Sequence, residues 1–155
     1  MQEFTFYRGK ATLPEHLQRW EGTVQQMLCN LRGQHTCYLM IDQEEVKAGR
    51  THRRPGVHFD GVWIPGLDTS YTLTENDTNK LMFLASNVEG CAAYRGTYDS
   101  RLVGEGGDCS RVPVLAMERV VLKPNTCYAM TVVTLHESIP VVENCKRTLV
   151  RINVA

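Results

Sequence analysis

The sequence has no excess of either charge: seventeen lysines and arginines balance seventeen aspartates and glutamates over 155 residues. A net charge of zero excludes strong global steering toward nucleic acid or an anionic membrane, although a local patch can still act. Long hydrophobic runs are missing too; the apolar stretches last only a few residues, against the ~20 that a membrane span needs. Met1 to Arg8 hold no basic segment followed by an apolar run, so no export leader is expected and the cytoplasm is the expected compartment. Cys29, Cys37, Cys91, Cys109, Cys127 and Cys145 include no C-x-x-C pair. Without a leader they read mostly as buried free thiols and not as a disulfide framework. Nucleophile motifs are lacking around Ser110, Ser138 and the cysteines, which leaves hydrolase chemistry without support. Gly104-Glu105-Gly106-Gly107-Asp108 lacks the Lys-Ser/Thr ending of a phosphate cradle, carries two acids, and reads as a mobile loop.

What is present fits a folded globular chain, with 43% hydrophobic and 22% charged residues. Its length suits a single domain over 1–155, with a helix at about 12–32 and a β core at about 36–154. Thr12 and Glu15 form a T-x-x-E capping box with Pro14 in the first turn. Leu17, Trp20, Val24, Met27 or Leu28, and Leu31 then recur every three or four residues as an apolar stripe that suits covering a sheet, and Gly33 ends it. Beyond Gly33 the period changes. Strands are predicted over Thr36–Ile41, Val57–Ile64, Leu81–Ser86, Ala92–Tyr98, Val112–Leu122, Cys127–His136 and Thr148–Val154, separated by turn residues. One helix followed by seven or eight short strands is the pattern of a mainly β, antiparallel sandwich or barrel.

The triplet His58-Phe59-Asp60 carries the chemistry. Residues two apart on a strand share a face, so an imidazole and a carboxylate project together, as two adjacent ligands of a metal would. His136, at the end of an apolar strand, can supply a third ligand from a neighbouring strand. Two histidines and one carboxylate with open positions opposite is the set used by non-haem Fe(II) oxygenases, although a His–Asp pair also serves as a plain structural hydrogen bond. On the last strand, Thr148, Val150, Ile152 and Val154 form one face, suited to packing beneath the helix. Arg147, Leu149, Arg151 and Asn153 form the other, which turns two guanidinium groups toward the interior. Buried arginines need anions: a planar ligand carboxylate, or protein acids such as Glu137 or Glu143. Lys47, Arg50, His52, Arg53 and Arg54 form a basic loop just before the triplet, read either as a solvated loop or as a receiver for an anionic substrate.

His58-x-Asp60, then His136-Glu137-Ser138-Ile139-Pro140-Val141, then Arg147-Thr148-Leu149-Val150-Arg151-Ile152 together resemble the Fe(II)/2-oxoglutarate-dependent oxygenases. The resemblance spans about residues 36 to 154. It implies a double-stranded β-helix, a jelly-roll or cupin-like fold, with the N-terminal helix covering it. It also implies that His58, Asp60 and His136 hold Fe(II), and that Arg147 grips the far carboxylate of 2-oxoglutarate as cosubstrate. Arg151 on the same face can assist, and Tyr38 is a candidate hydroxyl partner for the cosubstrate. Arg50, Arg53 and Arg54 are candidate substrate contacts. The expected function is therefore a small dioxygenase acting on a small-molecule or anionic substrate. The alternatives are a non-catalytic β-helix module that binds a small anion, or a structural sandwich protein.

Overall fold

The computed structural model describes residues 1–60 and 80–155. Phe4 and Phe6 alternate with Glu3, Thr5 and Tyr7 to write strand β1 (Gln2–Tyr7), buried on its phenylalanine face. Arg8 and Gly9, both at positive φ, turn the chain into β2 (Lys10–Thr12), the conformation a two-residue hairpin requires. This hairpin was not expected. It also overturns the capping box: Thr12 pairs with Thr5 in the ladder, Pro14 precedes the helical segment, and no side chain caps it. The expected helix at 12–32 is accordingly shorter, a 3-10 segment (Glu15–Trp20) running into α1 (Glu21–Met27). Three residues per 3-10 turn bring Leu17 and Trp20 onto one face, and the α period then adds Val24 and Met27. Val24 and Leu28 are fully buried, which stabilises the docked helix by about 1.5–3 kcal/mol for each side chain.

The remaining strands are β3 (Gln34–Val46), β4 (Leu81–Ser86), β5 (Cys91–Arg95), β6 (Glu118–Val121), β7 (Tyr128–Thr131), β8 (His136–Ser138) and β9 (Cys145–Val154). They form two antiparallel sheets, one of six strands ordered β2-β1-β3-β9-β4-β7 and one of three ordered β6-β5-β8. The described residues are thus mainly β with one α-helix. No helix among them is long and apolar enough to cross a membrane. The expected division of β9 holds. Val150, Ile152 and Val154 pack with Val24, Met27 and Leu28 beneath α1, while Leu149 joins Leu84, Cys91, Ala93 and Leu122 between the two sheets. A third cluster, Tyr94, Cys109, Val112 and Leu135, closes the far end of the small sheet.

Several boundaries differ from expectation. Cys127–His136 is two strands, because Val132 and Val133 make a turn, with Thr134 N–H donating to the Thr131 carbonyl oxygen, that carries the chain from the large sheet to the small one. Val112–Leu122 begins as a short 3-10 turn (Val114–Ala116) following Pro113, and pairs only from Glu118. Of Val57–Ile64, His58 alone makes bridges, to Asp108 and to His136, and the part beyond Asp60 lies outside the described residues. All six cysteines are free, but only Cys37, Cys91 and Cys109 are buried.

Candidate metal centre

The site grows from a single cross-strand pair. His58 and His136 are direct antiparallel partners, each backbone N–H donating to the other's carbonyl oxygen at 2.9 and 2.8 Å. Directly opposed residues send their side chains to the same face, so the two imidazoles meet edge to face with ring centroids 4.6 Å apart. Asp60, two residues beyond His58, projects to that face as well. One ligand atom from each of His58, Asp60 and His136 lies within 4.8 Å of the others, a group that can hold a metal ion.

The hydrogen bonds around the histidines test that fit. His58 Nδ1 donates to the Gly56 carbonyl oxygen at 2.7 Å, and His136 Nδ1 donates to the Thr134 carbonyl oxygen at 2.9 Å. A carbonyl only accepts, so both Nδ1 atoms carry the proton and both Nε2 atoms keep a lone pair. His136 Nε2 then stands 3.3 Å from Asp60 Oδ2, two electron-pair donors facing each other. Either a second proton on the imidazole or a cation resolves that opposition. Backbone carbonyls that fix the tautomer are also the usual outer support of metal-bound histidine. Burial lowers the His58 pKa, helped by His136 and Arg54 and opposed by the Gly56 carbonyl and Asp60, which favours the neutral, ligating form. Burial acts to raise the Asp60 carboxyl, but the hydrogen bond that His136 donates when its imidazole carries that second proton, together with the charge of Arg151, outweighs it and holds Asp60 well below the usual carboxylate range.

These ligands line a pocket of about 260 Å³ together with Met40, Phe59, Leu84, Cys91, Leu149 and Arg151. Arg151 Nη1 donates to Asp60 Oδ2, so this arginine pairs with the proposed ligand set and not with Glu137. Glu137 is occupied by Arg119 at 3.1 Å and by the Tyr94 hydroxyl at 2.7 Å. Arg147 lies one layer deeper and is wholly buried. Its Nε donates to Ser86 Oγ and its Nη2 to Cys91 Sγ, both at 3.1 Å, while Nη1 has no partner among the described residues. No carboxylate lies within ion-pair distance of it among the described residues. Cys91 lines the pocket, so its sulfur separates Arg147 from the cavity.

The other expected contacts divide. Arg53 and Arg54 line the pocket, Arg53 paired with Asp42 at 2.6 Å and Arg54 donating to the Gly106 carbonyl oxygen at 3.3 and 3.4 Å. Arg50 is exposed and its backbone pairs with Val141 away from the pocket. His52 turns inward, its ring between Asp42 and Glu44. Tyr38 pairs with Glu3 across β1 and β3, and burial together with the Glu3 carboxylate raises its phenol pKa; the pocket wall is built from other residues.

The glycine-rich loop is an element of the candidate site that the sequence reading did not place there. Far from being free, it flanks the ligand triplet: Phe59 N–H donates to the Gly107 carbonyl oxygen at 3.1 Å and Cys109 N–H to the Val57 carbonyl oxygen at 3.0 Å. A Cβ at Gly107 would collide with the Phe59 carbonyl oxygen, and φ there is +74°. Three glycines in four residues, directly before the apolar Cys109 and Val112, were the available signal for a strand-hugging turn. No protein-family model and no curated protein matches this chain.

Proposed function

We propose that the protein is a small Fe(II)- and 2-oxoglutarate-dependent dioxygenase on a double-stranded β-helix scaffold, working in the cytoplasm. The observation that carries this reading is the His58, Asp60 and His136 triad, with one ligand atom of each within 4.8 Å of the others and both Nδ1 atoms committed to backbone carbonyls, which leaves the Nε2 lone pairs for a metal. Two imidazoles and one carboxylate on one side, with an open pocket opposite, is the donor set that suits Fe(II). Bound there, iron with 2-oxoglutarate supplies oxidation of a substrate C–H bond by dioxygen. The chain's own residues do the rest. Asp60 brings the anionic charge and the two histidines the neutral ligands. Met40, Phe59, Leu84 and Leu149 give the pocket apolar walls that limit water. Arg147, a buried cation with an unpartnered Nη1, supports binding of a carboxylate that takes the place of the Cys91 sulfur. Arg54, with no carboxylate paired to it among the described residues, favours a substrate that presents an anionic group at the mouth.

The test is an anaerobic titration with Fe(II) and 2-oxoglutarate, read as a weak visible charge-transfer band. The band is expected in the parent protein and absent in His58→Ala, and Asp60→Ala and His136→Ala should each lose metal retention while staying folded. Metal binding without a band, and without 2-oxoglutarate consumption in air, assigns the pocket instead to a binding module for small anions.

A further inference from the structure

We propose that Arg151 is a built-in counter-ion that occupies Asp60 in the metal-free protein and passes to an anionic ligand when a metal binds, so that the metal loads first and the anion second. The inference rests on the reading of His58, Asp60 and His136 as metal ligands. It starts from a single atom. Asp60 Oδ2 is the oxygen that faces His136 Nε2 at 3.3 Å, and it is also the oxygen that accepts from Arg151 Nη1. The guanidinium therefore holds the lone pairs that a cation between Asp60 and His136 would use.

A divalent cation on Oδ2 stands beside a positive guanidinium, and the two repel across a half-buried site where water screens poorly. Arg151 is well placed to respond. Its side chain is only 11% exposed, and it is bounded by Met40 and Leu84, its pairing neighbours on β3 and β4, so it has little solvent to retreat into. Among the described residues it retains unused donor capacity, since Nε is buried without a partner there and Nη2 meets only the weak acceptor Met1 Sδ at 3.6 Å. Arg151 also lines the pocket, so a carboxylate entering beside the metal comes within reach of that free edge. Of the other cations near the mouth, Arg53 is paired with Asp42, while Arg54, held on the Gly106 carbonyl, faces the substrate's anionic group and not the ligand set. An arginine that competes with the metal and then holds the anion couples the two affinities, and linkage makes the coupling reciprocal.

The experiment measures Mn(II) affinity by calorimetry, and 2-oxoglutarate affinity of the Mn(II)-loaded protein, in the parent, Arg151→Met and Arg151→Lys. Arg151→Met keeps the apolar stem and should bind Mn(II) about threefold to tenfold more tightly, because one competitor for Oδ2 is gone, while 2-oxoglutarate binding weakens about tenfold or more. Arg151→Lys should move both affinities back toward the parent, which a purely structural role would not do. Weaker Mn(II) binding in Arg151→Met overturns the proposal and makes Arg151 a support for Asp60. Unchanged 2-oxoglutarate affinity overturns the transfer. A parent protein that binds no Mn(II) fails at the earlier step and removes the metal reading itself. Circular dichroism of each variant secures the comparison, and should Arg151→Met not fold, the same opposed shifts, smaller in size, are required of Arg151→Lys.

Discussion

A guanidinium with no carboxylate beside it is costly to bury, and Arg147 is buried completely. Two hydrogen bonds, to Ser86 Oγ and Cys91 Sγ, occupy part of its donor fork and leave Nη1 unused. Gly90 makes room for it: a Cβ there would sit 2.8 Å from Arg147 Cζ. Such an arrangement is poor for stability and good for receiving an anion. Arg147→Met should therefore leave the melting temperature of the free protein unchanged or raised, since a buried charge is replaced by a packed apolar stem. The same change should weaken 2-oxoglutarate binding to the metal-loaded protein by roughly 30-fold to several thousand-fold, the ~2–5 kcal/mol of a broken buried charge pair. Metal affinity should stay constant. Unchanged 2-oxoglutarate binding together with a lower melting temperature makes Arg147 a packing residue.

The glycine-rich loop packs against the candidate ligands without containing one of them. Gly107 presses against the Phe59 backbone, between the candidate ligands His58 and Asp60. In Gly107→Ala a methyl group must displace that carbonyl while the residue holds a positive φ. Ligand geometry should shift, and Mn(II) affinity should fall about 10- to 100-fold, as when the outer support of a metal site is removed. Gly106→Ala is the control: φ is +63° but nothing lies within 4 Å, so it adds backbone strain with little change in metal affinity. Equal affinities in both variants and the parent would show that the loop does not position the triplet. This element was hidden in the sequence because its partner is one residue, His58, bridging Asp108, and not a periodic strand. The helix stripe and the two-faced alternation of β9 were legible, since each follows from burying one face of a regular element. The His58 and Asp60 pairing was legible from a two-residue spacing. The crossing at Val132 and Val133 was not, because an uninterrupted run of β-forming residues carries no mark of a change of sheet. Nor was the Arg151 to Asp60 ion pair, which joins residues ninety-one apart in sequence through a register that only the folded sheets define.

Across the whole molecule, the large sheet divides two tasks. One face, beneath α1, is a dry core of Phe6, Val24, Leu28, Cys37 and Ile152, while the other carries the arginines and borders the pocket. The dry regions hold weak acids that only the folded state keeps neutral. Burial pushes the Cys37 thiol from 9.0 up to about 12. It likewise pushes the Tyr98 phenol, which donates to the Val133 carbonyl oxygen at 2.7 Å, from 10.0 up to about 12. In the unfolded chain these groups release their protons near pH 9 and 10, whereas the native state retains them. Above pH 9 the native state therefore binds more protons than the unfolded one, and stability falls as pH rises. Their contribution is fully present below pH 9 and is lost progressively toward pH 12. A series of thermal melts from pH 8 to pH 11.5, in the presence of reductant, should show the melting temperature declining from about pH 9 onward. Cys37→Val, close to the original volume, removes the earliest of these acids and should flatten the first part of the decline. Tyr98→Phe should lower the melting temperature already at pH 8, through loss of about 1 kcal/mol of hydrogen bonding, and then fall less steeply above pH 10. Should Cys37→Val follow the parent curve point for point between pH 9 and 10, the Cys37 thiol ionises in the folded protein and the space beneath α1 is open to water.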